Sequence, residues 1–187
     1  MDFPYFFKIF STFNFIIISC FLIKLFYNNN IQYLYKSGNE YEALTGWWVP
    51  YSRYGSYTTT TKNTDNLYAL CTSTADTGNS NYYASWETNN TINLSGYSSI
   101  IFKGIFKAPS STQITICILS RKVSTGEDWT SFSLCTYTLW NVSSTNQLTF
   151  NIPEQCRNNP CCILISAQNS NGNIHSEFTL NEVYLEK

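Results

Sequence analysis

Trp47 and Trp48 stand side by side, with Tyr51, Tyr54 and Tyr57 close behind. An aromatic ring exposed on a β surface can stack on the C–H face of a sugar ring while its polar neighbours bond the hydroxyls. Adjacent strand residues point to opposite faces, so at most one of the two tryptophans is expected in a core. Tyr82, Tyr83 and Trp86 form a second patch behind the Gly78-Asn79-Ser80-Asn81 loop. Trp129, within Gly126-Glu127-Asp128-Trp129-Thr130, lies between two strand-like runs and is the aromatic least easily explained as core. Trp47, Trp48, Tyr82, Tyr83, Trp86 and Trp129 are therefore the expected ligand-binding residues. The competing reading for each is burial against a neighbouring strand or loop.

The cysteines offer different chemistry. Cys20 lies in an apolar run and is expected to pack there. Cys71, Cys117 and Cys135 sit in strand-like runs, where a thiol serves as a small buried hydrophobe. Cys156 paired with Cys161 or Cys162 is the disulfide expected, because Arg157-Asn158-Asn159-Pro160 can turn the chain back. Zinc is not expected, since no C-x-x-C pair occurs.

Hydrolysis of a glycosidic bond needs two carboxyl groups about 5–10 Å apart, one with a raised pKa. Glu40, Glu42, Asp65, Asp76, Glu87, Glu127 and Asp128 are the candidates, and turn or surface roles account for all of them. Glu127 with Asp128, or Asp65 with Asp76, could instead hold a structural Ca²⁺ with backbone carbonyls. A nucleophilic Ser or Cys needs a base. His175 is the only histidine, and it lies beside Ser176 and Glu177 at the edge of the last strand. No G-x-S-x-G, P-loop or G-x-G-x-x-G sequence is present. No catalytic residue is expected.

Composition narrows the classes further. The 187 residues carry 11 Lys+Arg against 12 Asp+Glu, a net charge of −1. A general nucleic-acid binder needs a cationic surplus to displace counterions, so nucleic acid is not an expected partner. Charged residues are only 12% of the chain and aromatics reach 17%. Ser, Thr and Asn take over the solvating role, which suits strand faces and turns better than helix surfaces.

These residues must be positioned by strands. Residues 9–23 are uncharged, flanked by Lys8 and Lys24, and the apolar stretch 5–27 is long enough to cross a membrane if both lysines snorkel. A bulky Lys24-Leu25-Phe26-Tyr27 follows instead of a small-residue cleavage site, which favours an uncleaved anchor over a signal peptide. Residues 1–30 are thus expected as one hydrophobic N-terminal helix, and residues 34–187 as a β domain. Asn28-Asn29-Asn30 marks the break. Strands are expected at 54–61, 67–73, 84–88, 99–108, 113–120, 132–140, 147–152, 161–167 and 175–186, separated by turn signals. Residues 114–119 and 161–165 are apolar on both faces, as interior strands are. Nine strands cannot bury their inner faces in one flat layer, so a two-sheet antiparallel β-sandwich follows.

Three segments carry a resemblance. Leu34-Tyr35-Lys36-Ser37-Gly38-Asn39-Glu40, then Leu44-Thr45-Gly46-Trp47, resembles the opening of β-sandwich modules in phage and prophage tail proteins of gut Firmicutes. Ile92-Asn93-Leu94-Ser95-Gly96-Tyr97-Ser98-Ser99-Ile100 resembles the segment that precedes a central strand in the same modules. Phe178-Thr179-Leu180-Asn181-Glu182-Val183-Tyr184-Leu185 is similar to the last strand of many jelly-roll carbohydrate-binding modules. Trp48 departs from the pattern, standing where a second Gly is common. The resemblance implies an all-β, jelly-roll-like sandwich and a non-catalytic role in binding a carbohydrate or host-surface glycan. The apolar N-terminal stretch implies a membrane-anchored extracytoplasmic domain, with a virion tail appendage or a secreted protein as alternatives. An assembly protein that self-associates as a homo-oligomer, and a glycan-cleaving enzyme, are the competing functions.

Overall fold

The computed structural model describes residues 30–40, 44–47, 58–72, 82–88, 90–120, 133–169 and 174–187, with backbone only at residues 40, 44–47, 82, 110 and 111. The chain divides into two compact units, Met1–Gln32 and Tyr33–Lys187. The expected N-terminal helix lies outside the described residues. Among the described residues no helix is long and apolar enough to cross a membrane.

Eleven strands follow in order: β1 (Ile31–Lys36), β2 (Asn39–Glu40), β3 (Leu44–Trp47), β4 (Thr58–Lys62), β5 (Leu67–Cys71), β6 (Tyr82–Thr88), β7 (Ile92–Asn93), β8 (Ser99–Leu119), β9 (Ser133–Asn151), β10 (Pro160–Asn169) and β11 (Ser176–Glu186). One helical turn, α1 (Glu154–Arg157), sits between β9 and β10. The all-β expectation holds. The first hairpin shows the local logic: Ser37 and Gly38 have φ of 39° and 84°, the left-handed pair that a tight two-residue turn demands. A Cβ at Gly38 would meet the Thr64 carbonyl oxygen at 2.3 Å, so glycine is required there.

The strands do not form two separate sheets as expected. They form one hydrogen-bonded sheet whose main path runs β2-β1-β11-β8-β10-β6-β3, with β9 along β8, β5 on β11, β4 on β5 and β7 on β10. The reason is β8. Its first half, from Ser99 to Lys107, pairs with β11, and its second half, from Thr112 to Leu119, pairs with β10. β9 accompanies it along both halves. Register shifts between Lys103 and Gln113 mark the place where β8 changes partners. Bulges bend a strand and raise its twist, which lets one strand pass from one layer to the next. Pro109-Ser110-Ser111 and Asn141 read as strand ends in the sequence; they lie inside two long bent strands instead.

Both halves feed one core. The first half contributes Ile100, Phe102, Phe106, Phe178, Leu180 and Val183. The second contributes Ile114, Ile116, Ile118, Ile163, Ile165 and Trp86. Residues 114–119 and 161–169 are buried on both faces, as their apolar runs implied. Trp86 joins the halves directly: its indole Nε1 donates to the Tyr68 carbonyl on β5 at 2.9 Å.

Candidate functional site

Side chains alternate along a strand, so the apolar inner face of β6, β10, β8 and β9 dictates the opposite one. Register places Ser166 between Ser85 and Thr115, with Thr138 beyond Thr115. The adjacent row runs Tyr83 (β6), Gln168 (β10), Gln113 (β8), Trp140 (β9). An aromatic thus stands at each end of a four-strand row, with two amides between. At the usual interstrand spacing the row spans about 14 Å.

A directed chain of hydrogen bonds sets the amides. Gln113 Nε2 donates to Gln168 Oε1. Gln168 Nε2 donates to Ser166 Oγ at 3.1 Å, and Ser166 Oγ donates to the Thr115 carbonyl at 3.5 Å. On the far side of Gln168, Ser176 Oγ donates to its backbone carbonyl at 2.9 Å. The relay leaves the Gln113 Oε1 acceptor unpaired. Ser85 Oγ and Thr115 Oγ1 on the same face are likewise buried without a partner among the described residues. Unsatisfied buried polar atoms cost about 1–3 kcal/mol each, so their concentration on one face needs a reason.

Exposure is graded along the row. Trp140 is 55% exposed, Gln113 and Tyr83 are half-buried, and Gln168 is buried. Tyr83 packs against Cys117, Leu119, Cys162 and Leu164, which form a small apolar cluster on this face. Glu87 on β6 pairs with Leu164 and is buried; among the described residues it is the one carboxylate on this face.

The expected binding residues part ways here. Trp86 is 5% exposed and its N–H is spent on Tyr68, so it is a core residue and offers no stacking face. It faces the main core because strand neighbours alternate, and Ser85 and Glu87, both buried, lie on the opposite face of the sheet. Tyr83 belongs to the polar-face row. Trp47 pairs by backbone register with Ser85, and Tyr82 with Asn169. Trp48 and Trp129 lie outside the described residues. Trp140 is not among the expected binding residues, entering the sequence analysis only as the last residue of the strand 132–140; its parity with Thr136 and Thr138 was the available signal.

The expected disulfide is not formed. Among the described residues no disulfide joins Cys156, Cys161 or Cys162, and all three are buried. The turn expected between them exists, but it points Cys161 Sγ at the carbonyl oxygens of Cys156 and Asn159, to which it donates at 3.3 and 3.1 Å. Cys161 packs with Cys156 in the main core, whereas Cys162, its strand neighbour, faces the opposite cluster. Burial pushes the Cys161 thiol up to about 11 and raises that of Cys156. Among the described residues no three His, Cys, Asp or Glu side chains gather as a metal site requires. Of the acidic pairs proposed for Ca²⁺, Asp76, Glu127 and Asp128 lie outside the described residues.

The sequence matches no protein-family model and no curated protein. Several solved structures are similar. The CBM27-1 module of Caldicellulosiruptor saccharolyticus, in complex with mannohexaose, is 13% identical, covers 84% of this chain and 97% of its own, and gives a TM-score of 0.48. A family 11 carbohydrate-binding module of Clostridium thermocellum, in complex with a mixed-linked tetrasaccharide, is 14% identical over 84% of this chain and 95% of its own, with a TM-score of 0.45. A family 29 module of Piromyces equi is 14% identical over 84% and 90%, with a TM-score of 0.44. At these identities and scores the likeness assigns this chain neither a ligand nor a site.

Proposed function

We propose that this chain is a non-catalytic carbohydrate-binding module that holds an uncharged glycan across β9, β8, β10 and β6. The carrying observation is the row Trp140–Gln113–Gln168–Tyr83. Rings offer an apolar platform at both ends, and the two amides of Gln113 and Gln168 lie between them, with Gln113 Oε1 buried and lacking a partner among the described residues. Gln168 is a positioning residue: it is buried, and its carbonyl fixes which end of the Gln113 amide is free. The row carries no charge, which suits a neutral polyol better than an anionic one. Hydrolysis would need a second carboxylate facing Glu87, and the described residues of this face supply none.

Presentation outside the cell belongs to the same reading. The apolar stretch 5–27 supports a membrane anchor, and the two segments that resemble phage tail modules, 34–47 and 92–100, support the variant in which the domain is a virion receptor-binding appendage. A structural Ca²⁺ held by Glu127 with Asp128, or by Asp65 with Asp76, is a further element of the proposal. Retention on a panel of insoluble and gel-embedded neutral polysaccharides tests the binding. The expected result is retention of the wild type and its loss in Trp140→Ala. Folded wild-type protein retained by no polysaccharide would overturn the proposal.

A further inference from the structure

The strand β9 is an edge. Among the described residues it pairs only with β8, along 19 residues of sequence SLCTYTLWNVSSTNQLTFN. That sequence contains no Lys, Arg, Asp, Glu, Pro or Gly. Exposed edges present rows of bare N–H and C=O groups, and proteins that stay monomeric blunt them with charges, prolines or short strands. The other edges here follow that rule: β2 has two residues, β3 has four, and β4 ends on Lys62. The longest edge carries no such charge or proline.

The core is also open along it. Cys135, Tyr137 and Leu139 point inward at every second position and pack against the main core, yet each stays half-buried. Thr136, Thr138 and Trp140 point to the polar face and are exposed. A strand added here would continue the hydrogen-bond ladder and close the side of the core in one step.

We propose that the occupant is a second copy of this chain, joined edge to edge through β9 about a two-fold axis at Tyr137. Parity sets the register: apolar meets apolar only when paired positions sum to an even number. About Tyr137, Cys135 lies opposite the partner's Leu139, and Thr136 opposite the partner's Thr138. Threonine pairs across strands are favourable, and an uncharged strand meets its own copy without repulsion. A two-fold interface asks for this self-complementarity, which an unrelated partner strand would not. The two polar faces then run on into one another. The inference does not rest on glycan binding.

Sedimentation velocity over a wide concentration range tests it. The wild type is expected at twice 21.5 kDa. The double variant Thr136→Lys/Thr138→Lys sets like charges opposite one another and is expected to sediment as a monomer with an unchanged circular dichroism spectrum, because both side chains are exposed. Mixing it with Thr136→Asp/Thr138→Asp is expected to restore the dimer. A wild type that stays monomeric at the highest concentration, a lysine variant that stays dimeric, or a mixture that fails to associate would each overturn the proposal. Polysaccharide retention is read on the wild type and on Trp140→Ala, not on the lysine variant, so failure of one reading leaves the other intact.

Discussion

Gln113 donates its amide to the carbonyl oxygen of Gln168 across β8 and β10, and this single bond fixes the orientation of the Gln113 amide. Gln168 Nε2 is already committed to Ser166, so its carbonyl must accept and Gln113 must donate. The other end of Gln113 is therefore an acceptor, buried and without a partner among the described residues. Three substitutions separate the roles. Trp140→Ala is expected to weaken polysaccharide binding by about tenfold or more, with little change in stability, since the ring is 55% exposed. Gln113→Ala is expected to cost about 1 kcal/mol of binding, roughly fivefold. Gln168→Ala is expected to lower both binding and stability, because Ser166 loses its amide partner. Isothermal titration with a soluble oligosaccharide, alongside urea unfolding of each variant, reads both quantities.

Gly104 is pressed against β11. A Cβ built there would lie 1.8 Å from the Thr179 carbonyl oxygen and 2.8 Å from its carbon. Those are backbone atoms, so relief requires the β8–β11 register to move near the irregularity between Leu180 and Glu182. Gly104→Ala is expected to destabilise the fold by about 3 kcal/mol, the upper range for overpacking. A fall in the urea midpoint at unchanged slope is the expected readout. A shift under a few tenths of a kcal/mol would show that the two strands are not held this closely.

The strands of the core were legible because their chemistry is local. Alternation in 67–71 and the β-branched runs of 114–118 and 161–165 state their state of burial without reference to partners. What was not legible is continuity. Pro109-Ser110-Ser111 and Asn141-Val142-Ser143-Ser144 look like turns, yet β8 passes across the first from pairing with β11 to pairing with β10, and β9 follows β8 past the second. The site suffered from the same limit. Clustering in sequence favoured Tyr82, Tyr83 and Trp86, but parity sends Tyr83 and Trp86 to opposite faces, and the row that unites Tyr83 with Trp140 draws on residues 57 positions apart in the chain order. Cross-strand neighbours are set by register, which a sequence states only weakly when turn signals are this abundant.

Stability should be flat near neutrality and fall on both sides, for named reasons. Glu177 accepts from Lys107 Nζ at 2.8 Å and from Tyr68 Oη at 2.8 Å, and chiefly the lysine holds its carboxyl below the ordinary range. A depressed carboxyl stabilises above its unfolded pKa of 4.5, and the gain is lost as pH falls through the folded value. At the other end, burial pushes Cys71 and Cys117 up to about 12 from 9.0. The unfolded chain releases these protons first, so stability is complete below pH 9 and is lost above it. Thermal unfolding from pH 3 to 10 is expected to show a plateau between these limits. Glu177→Gln is expected to flatten the acid limb and leave the alkaline limb unchanged. Because Lys107 is half exposed, the loss at neutral pH should stay near 1 kcal/mol or below.

Thiol reactivity gives the sharpest test of the turn around α1. The sequence allows a bridge from Cys156 to Cys161, whereas the folded turn satisfies Cys161 through two carbonyl oxygens and keeps both sulfurs buried. A thiol with a pKa of about 11 is only about one part in a thousand thiolate at pH 8, and burial blocks approach as well. Alkylation of the native protein at pH 8 is therefore expected to be slow at Cys71, Cys117, Cys156 and Cys161. Cys135, half-buried on the open edge of β9, should be modified first among the described thiols. In denaturant without reductant all seven cysteines should react at the rate of free cysteine. Mass spectrometry of peptides from both reactions checks each site. Rapid native labelling of Cys161 would show that the turn opens, and the absence of label on both Cys156 and Cys161 after unfolding would show that the bridge forms instead.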